Sequence, residues 1–163
     1  AGELGHLIIE PDGPLCGCGN RGCLEALASG PAITAEGVRL MLIGQAPHMY
    51  EMVEGDYAQV TPKVMAEAAA AGDEPIQKAI VRAAQYLAIG ICNVMVTIHP
   101  DLVVLGGGVA NIGALLFDTV RATVRERVFM IPTDTMRIEP SLLGDRAGAL
   151  GGIALAMKQG QVA

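Results

Sequence analysis

The sequence predicts an α/β fold, because long helical patterns alternate with short strand patterns along its 163 residues. Apolar residues recur every three or four positions between residues 76 and 98, as in a helix that buries one face. Residues 102–105 are a continuous run of Leu and Val, and residues 136–140 alternate in polarity, as strands do. Since 52% of the residues are apolar, we expect residues 1–163 to form one domain around one core.

The first predicted helices follow a cysteine-rich loop. Residues 24–29 predict a short helix, and Pro31 is suited to the first turn of a second helix that runs to about residue 43. Residues 44–60 mix Gly, Pro, acids and Met without a clear period, so we expect a loop or mobile excursion there. Thr61 before Pro62 is typical of an N-cap and a first helical position, and predicts a helix to about residue 71.

The second half of the chain contains the predicted strands. Residues 73–75, Asp-Glu-Pro, repeat the N-cap signal and open the long helix, which His99 and Pro100 end. The apolar run at residues 102–105 predicts a strand that is buried on both faces and ends in three glycines. A helix follows with an apolar side and a solvated side that includes Arg121. Residues 136–140 predict the last strand, and residues 147–157 predict a helix of small residues.

Four metal-binding side chains stand within the first 23 residues, in the order His6, Cys16, Cys18 and Cys23. Zinc takes thiolates and imidazole in tetrahedral geometry, and four protein ligands leave no position for a reactive water. Glycines alternate with the first two cysteines, and residues 20–22 supply a turn through which Cys23 reaches the same ion. The pattern predicts a structural zinc site that ties an extended segment, residues 4–10, to a loop.

Two alternatives remain open for these residues: an unrelated set of side chains, or two disulfides in a secreted domain. Disulfides are typical of smaller, cysteine-dense chains in an oxidising compartment, whereas this chain has four cysteines and three of them lie together. Cys92 stands alone within the long helical pattern. We expect it to be a buried, inert thiol.

Charge and hydropathy limit the partners of the chain. The formal net charge is −6, and the basic residues are dispersed, which argues against nucleic-acid binding through this segment. The longest apolar stretch, residues 86–98, contains Gly90 and Asn93 and is too short to span a bilayer, so no membrane partner is expected. With no secretory or transit segment in view, we expect a cytoplasmic protein.

Two segments, Gly-Glu-Leu-Gly-His at residues 2–6 and Cys-Gly-Cys-Gly-Asn-Arg-Gly-Cys-Leu-Glu at residues 16–25, resemble the signature of the ROK family of bacterial sugar kinases and sugar-responsive repressors. Residues 29–32, 99–109 and 144–152 also resemble that family, in the expected order, so the resemblance covers essentially the whole chain. It implies the carboxy-terminal lobe of an actin-like (ribonuclease H-like) ATPase: a mixed sheet flanked by helices, with a zinc-binding loop.

The resemblance also implies site residues. Family members bind sugar through side chains that match Glu3, His6 and Glu25, although each glutamate taken alone is more typical of a surface charge. Carboxylates suit this task because one carboxylate accepts hydrogen bonds from two vicinal hydroxyls. Family kinases place ATP beside a turn that matches Gly106, Gly107 and Gly108, which without the resemblance is more typical of a tight turn. Gly148, Gly151 and Gly152 are expected to serve close helix packing, against the amino-terminal lobe that family kinases have.

Two parts that the resemblance requires are not found in the sequence: a glycine-rich phosphate loop and a catalytic aspartate, both of which precede the matching segments in family kinases. We therefore expect a carboxy-terminal fragment with no catalytic residue of its own and no activity alone. The implied parent is an ATP- and Mg²⁺-dependent hexose kinase, glucokinase-like and homodimeric. Within kinases, an N-acetylmannosamine or other hexosamine kinase is an alternative. A sugar-sensing domain of a repressor with an upstream DNA-binding module is another, and a purely structural zinc module is a third.

Overall fold

The computed structural model describes residues 2–133 and 136–158, except for the side chain of residue 145. Within these residues the helices and strands follow in the order α1 (Leu24–Ala28), α2 (Gly30–Leu42), α3 (Pro47–Met52), α4 (Pro62–Ala71), α5 (Glu74–Ile98), β1 (Leu102–Leu105), α6 (Ala114–Arg127), β2 (Arg137–Pro140) and α7 (Ala147–Met157). Short 3₁₀ turns lie at Leu4–His6, Tyr57–Gln59, Gly108–Ile112 and Gly144–Arg146. The α/β class is confirmed.

Helix α5 lies at the centre of the core and contacts α1, α2, α4 and α6. Its apolar face is buried as predicted through Ile76, Ile80 and Ile91, while its last turn leaves the core and exposes Ile98. Cys92 is buried on this helix, and burial raises the pKa of its thiol. With 25 residues, α5 is long and apolar enough to cross a membrane, whereas residues 86–98 alone are too short. The contacts of α5 with four other helices account for its apolar residues, because they form the core.

The sheet in the described part of the chain has two parallel strands, β1 and β2, in register from Leu102 opposite Arg137 to Leu105 opposite Pro140. The predicted mixed sheet is not seen among these residues. Burial on both faces of β1 was also a wrong expectation, because Leu102 and Val104 are exposed on one face. Only the face that carries Val103 and Leu105 packs against the core.

Residues 44–60, which the sequence pattern assigns to a loop, contain helix α3 and the 3₁₀ turn Tyr57–Gln59. Met49 and Val53 are fully buried there. The helix begins where its first backbone N–H groups meet the carboxylate of Asp73, whose oxygens accept hydrogen bonds from the amides of His48 at 3.2 Å and Met49 at 2.8 Å. Asp73 was expected to cap α5 instead. A cap supplied from 25 residues away leaves no local sequence signal.

The last elements contain an arginine and three glycines about which the sequence makes specific predictions. Arg121 on α6 was expected to be solvated, but its guanidinium donates two hydrogen bonds to the Ile138 carbonyl oxygen, at 2.7 and 3.2 Å, and lies over the Phe117 ring. This happens because α6 packs against β2, which brings a strand carbonyl within reach of the planar head group. The α7 glycines were expected to pack against another lobe; a Cβ on Gly148, Gly151 or Gly152 would meet no described atom within 4 Å, and the expectation stays a prediction.

Candidate functional site

The segment that we call the metal loop, residues 6–23, folds back on itself through main-chain hydrogen bonds. The amide of Cys16 donates to the carbonyl of Asn20 at 2.7 Å, and the amide of Gly19 donates to that of Cys16 at 2.9 Å. An antiparallel bridge joins Ile8 to Cys23, which brings the two ends of the loop together. The extended segment expected at residues 4–10 is instead a 3₁₀ turn, Leu4–His6, before this bridge.

Gly22 permits the closest approach within the metal loop. Its φ is +65°, in the region that favours glycine, and a Cβ at this position would lie 1.5 Å from the carbonyl oxygen of Glu10. The carbonyl oxygen of Gly22 in turn accepts hydrogen bonds from the amides of Ile9 at 2.8 Å and Glu10 at 3.2 Å. The backbone of Gly22 therefore lies directly against that of Glu10, one residue before Cys23. This contact directs the Cys23 side chain inward, where it is buried.

The predicted metal ligands converge. One ligand atom from each side chain lies within 4.8 Å of all the others, in the set His6, Cys16, Cys18 and Cys23. The His6 Nδ1 to Cys16 Sγ distance and the Cys18 Sγ to Cys23 Sγ distance are both 3.7 Å. Two sulfurs on one tetrahedral zinc ion lie about 3.8 Å apart for Zn–S bonds of about 2.3 Å. The donor types and their spacing therefore fit a tetrahedral ion.

The cysteines of the cluster differ in their protonation. Burial, together with the neighbouring sulfurs of Cys18 and Cys16, raises the pKa of Cys23 to about 12. A backbone hydrogen bond from Asn20 lowers the pKa of Cys18, which is exposed. Without an ion the Cys23 thiol would therefore hold its proton, and a divalent cation would replace that proton because it binds the thiolate.

The three predicted sugar ligands lie beside the metal cluster. Glu3 and His6 stand at the two ends of the 3₁₀ turn, where the His6 amide donates to the Glu3 carbonyl at 3.0 Å. Glu25 lies in the first turn of α1, two residues after Cys23, and a Cβ on Gly5 would lie 3.4 Å from its Oε2 atom. Glu25 of α1 thus lies beside the 3₁₀ turn that Glu3 precedes and His6 ends. Glu3 and Glu25 are both exposed.

The three predicted nucleotide-contacting glycines form the turn after the carboxyl end of β1. Gly107 has a φ of +76°, and a Cβ on Gly106 would lie 3.3 Å from Ser141, which follows β2. Gly108 begins a 3₁₀ turn, and the helix expected after the glycines, α6, starts at Ala114. The same turn reaches α2, where a Cβ on Gly30 would lie 3.7 Å from the Val109 side chain. The 3₁₀ turn that follows the glycines is therefore packed against the start of α2.

One contact of the site has no signal in the sequence. The Tyr86 hydroxyl on α5 donates a hydrogen bond to Oε2 of Glu10 in the metal loop at 3.1 Å, across a separation of 76 residues. Tyr86 stands within an apolar helical pattern, and Glu10 is an ordinary exposed glutamate. Only the folded arrangement of α5 and the loop brings them together.

Comparison with known proteins finds relatives that match almost the whole chain. The model of the ROK family matches residues 1–159. The chain is 32% identical to a xylose repressor of Caldicellulosiruptor bescii, covering 95% of this chain and 38% of the repressor. It is also 32% identical to a glucokinase of Thermotoga maritima, covering 94% of this chain and 48% of the glucokinase. An N-acetylmannosamine kinase of Escherichia coli is 37% identical over 67% of this chain and 32% of its own length.

Solved structures give the same result. A ROK family glucokinase from Streptomyces griseus, in complex with glucose and AMPPNP, superposes with a TM-score of 0.81 at 29% identity, over 97% of this chain and 52% of that one. The chain spans about half or less of the length of these relatives. Because the family model covers almost every residue and the fold agrees, the chain belongs to the ROK family.

Proposed function

We propose that this chain is the sugar-binding and nucleotide-binding carboxy-terminal part of an ATP-dependent hexose kinase. The proposal rests mainly on the position of Glu25 beside the turn that carries Glu3 and His6. In this proposal the protein is cytoplasmic, forms one domain over these residues, assembles as a homodimer and contacts neither a membrane nor nucleic acid through this segment.

The two carboxylates hold the sugar. Glu3 and Glu25 accept hydrogen bonds from vicinal hydroxyls, which orients the ring and discriminates between epimers. His6 contributes a third contact: its Nδ1 atom faces Cys16, which leaves Nε2 free to hydrogen-bond a hydroxyl. The residues that bind sugar here would not remove its reactive proton. That task belongs to an aspartate outside these residues, as in the family kinases.

The metal in this proposal is a structural Zn²⁺ held by His6, Cys16, Cys18 and Cys23. With four protein ligands the ion supplies rigidity rather than a reactive water. Its effect on sugar binding is indirect, because it orients His6 and fixes the start of α1, where Glu25 lies. Loss of the metal should therefore weaken sugar binding more than nucleotide binding.

The glycine turn at Gly106, Gly107 and Gly108 is the proposed nucleotide contact. Glycines at the carboxyl end of a strand let the backbone approach a ligand closely, and this turn has one residue with positive φ. Substrate ATP with Mg²⁺ would bring the phosphoryl group, and in-line transfer to the sugar hydroxyl requires that both sites face the same cleft.

The experiment is ATP consumption by the full-length protein over a panel of hexoses and N-acetylhexosamines, with Glu25→Gln as the test variant. We expect turnover on one sugar and a rise in the KM for that sugar of about 10-fold or more in the variant, with the KM for ATP unchanged. Glu51→Gln, at an exposed glutamate on α3, is the matched control and should behave as wild type. Equal sugar KM values for wild type and Glu25→Gln would refute the assignment.

A sugar-sensing domain of a repressor is the second candidate, favoured by the 32% identity to a xylose repressor over nearly the whole chain. A sensor needs the same sugar contacts but no phosphoryl transfer. Sugar binding that depends on Glu25, without ATP turnover on any sugar of the panel, would select this candidate. Turnover on N-acetylmannosamine alone would select the hexosamine kinase, to which the similarity with the Escherichia coli enzyme points.

A further inference from the structure

One face of α5 faces the metal loop and the helices beside it. Arg82, Tyr86 and Gly90 are spaced four residues apart, so they lie one above the other on the helix. Each contacts a different segment. Arg82 Nη2 lies 3.7 Å from Oε1 of Glu36 on α2, and Tyr86 donates to Glu10 at 3.1 Å. At Gly90 the helix comes so close to α1 that a Cβ would lie 2.7 Å from Cδ2 of Leu24.

These contacts hold the metal loop on both sides of its cysteines. Glu10 precedes the first ligand cysteine, Cys16, and Leu24 directly follows the last, Cys23. The contact at Leu24 is apolar and comes from close packing, and Leu24 is buried. The contact at Glu10 is a hydrogen bond to an ionised side chain, the type that fixes a direction as well as a distance.

The backbone of Glu10 is hydrogen-bonded to other residues of the metal loop. Its amide donates to the Gly22 carbonyl at 3.2 Å, and its carbonyl oxygen accepts from the Gly13 amide at 2.8 Å. That same oxygen occupies the space where a Cβ of residue 22 would lie. A shift of Glu10 would therefore displace Gly22, and with it the neighbouring Cys23 and the start of α1.

We propose that Tyr86 is a positioning residue for the metal and sugar site, acting through its hydrogen bond to Glu10. The roles of the metal and of Glu25 in this inference rest on the proposed function, whereas the contact between Tyr86 and Glu10 is seen in the structure. Tyr86 is half-buried on α5, which packs against four helices and so provides a rigid support for a loop with little apolar packing of its own. Burial and the Glu10 carboxylate raise the pKa of the phenol, so it keeps its proton and remains a donor throughout the physiological range.

The test uses the full-length, zinc-loaded protein and the variant Tyr86→Phe, which removes the hydroxyl and keeps the ring. We expect Zn²⁺ transfer to a chromophoric chelator to be about fivefold faster, and the amides of Ile9, Glu10 and Gly22 to exchange hydrogen faster. The KM or Kd for sugar should rise about threefold to tenfold, with the KM for ATP unchanged. Tyr57→Phe, on a separate 3₁₀ turn, is the matched control and should leave all of these values unchanged.

A double-mutant cycle separates positioning from general stability. Glu10→Ala should accelerate zinc release as much as Tyr86→Phe, and the double variant should be no faster than either single variant, because both remove the same bond. Glu10→Gln keeps a neutral acceptor and should recover part of the wild-type rate. Additive effects in the double variant would overturn the proposal, as would zinc release from Tyr86→Phe at the wild-type rate.

The results that would refute the proposed function differ from those that would refute the positioning role of Tyr86. If the wild-type protein bound neither zinc nor sugar, the proposed function would fall, while amide exchange at residues 9, 10 and 22 would still decide the role of Tyr86. Unchanged exchange at these amides in Tyr86→Phe would overturn the positioning role whether or not the protein proves to be a kinase.

Discussion

Replacement of Asp73 by Ala should destabilise the protein by about 3 kcal/mol, because it removes the cap of α3. Asp73 is 2% exposed, and its two carboxylate oxygens accept from the amides of His48 and Met49 at 3.2 and 2.8 Å. Each buried amide left without an acceptor costs about 1–3 kcal/mol. Asp73→Asn keeps one acceptor oxygen and should cost about half as much as Asp73→Ala.

The assay is urea denaturation followed by circular dichroism. The matched control is Asp56→Ala: this exposed carboxylate also begins a turn, where it accepts from the Ala58 amide at 2.9 Å and from Gln59 at 3.1 Å. Because water replaces those bonds at little cost, we expect Asp56→Ala to lose less than about 1 kcal/mol. A loss for Asp73→Ala no larger than that of Asp56→Ala would refute the reasoning that burial gives this cap its strength.

Four further predictions concern the metal loop. Chelation of the metal, or Cys16→Ala, should lower the Tm by more than about 5 °C in calorimetry, because the loop has little other packing; an unchanged Tm would contradict a structural metal. The apparent affinity for Zn²⁺ should rise at least about tenfold per pH unit between pH 6 and 8, since the Cys23 thiol, with its pKa raised to about 12, releases a proton on binding; competition titrations at both pH values check this. In the metal-free protein the same raised pKa should make stability fall as pH rises above the ordinary thiol value of 9.0, where the unfolded thiol ionises first, and urea midpoints against pH would show it. Gly22→Ala should abolish zinc retention by metal analysis, because its Cβ would lie 1.5 Å from the Glu10 oxygen, whereas Gly17→Ala, with no atom within 4 Å, should retain zinc.

Local sequence predicted the parts of this protein that local interactions build. Thr61 caps α4 through its own hydroxyl, which accepts from the Val64 amide at 3.2 Å, and both residues lie in one short segment. The same holds for the metal loop, where three cysteines and their intervening glycines stand within eight residues and only His6 comes from further away. Residue type and spacing were sufficient to predict that these side chains converge, because few backbone conformations connect such closely spaced residues.

Tertiary structure decided what depends on residues distant in the chain. Asp73 caps a helix 25 residues before it, Arg121 binds a carbonyl 17 residues after it, and Tyr86 meets Glu10 across 76 residues. Each of these side chains is ambiguous in sequence, because an acid, an arginine or a tyrosine on a helix can equally face water. Their partners are fixed only when α5 and α6 pack and place particular backbone groups within hydrogen-bond distance. Sequence alone therefore predicted that His6, Cys16, Cys18 and Cys23 converge and that a long helix follows, and packing determined which side chains of that helix contact the metal loop.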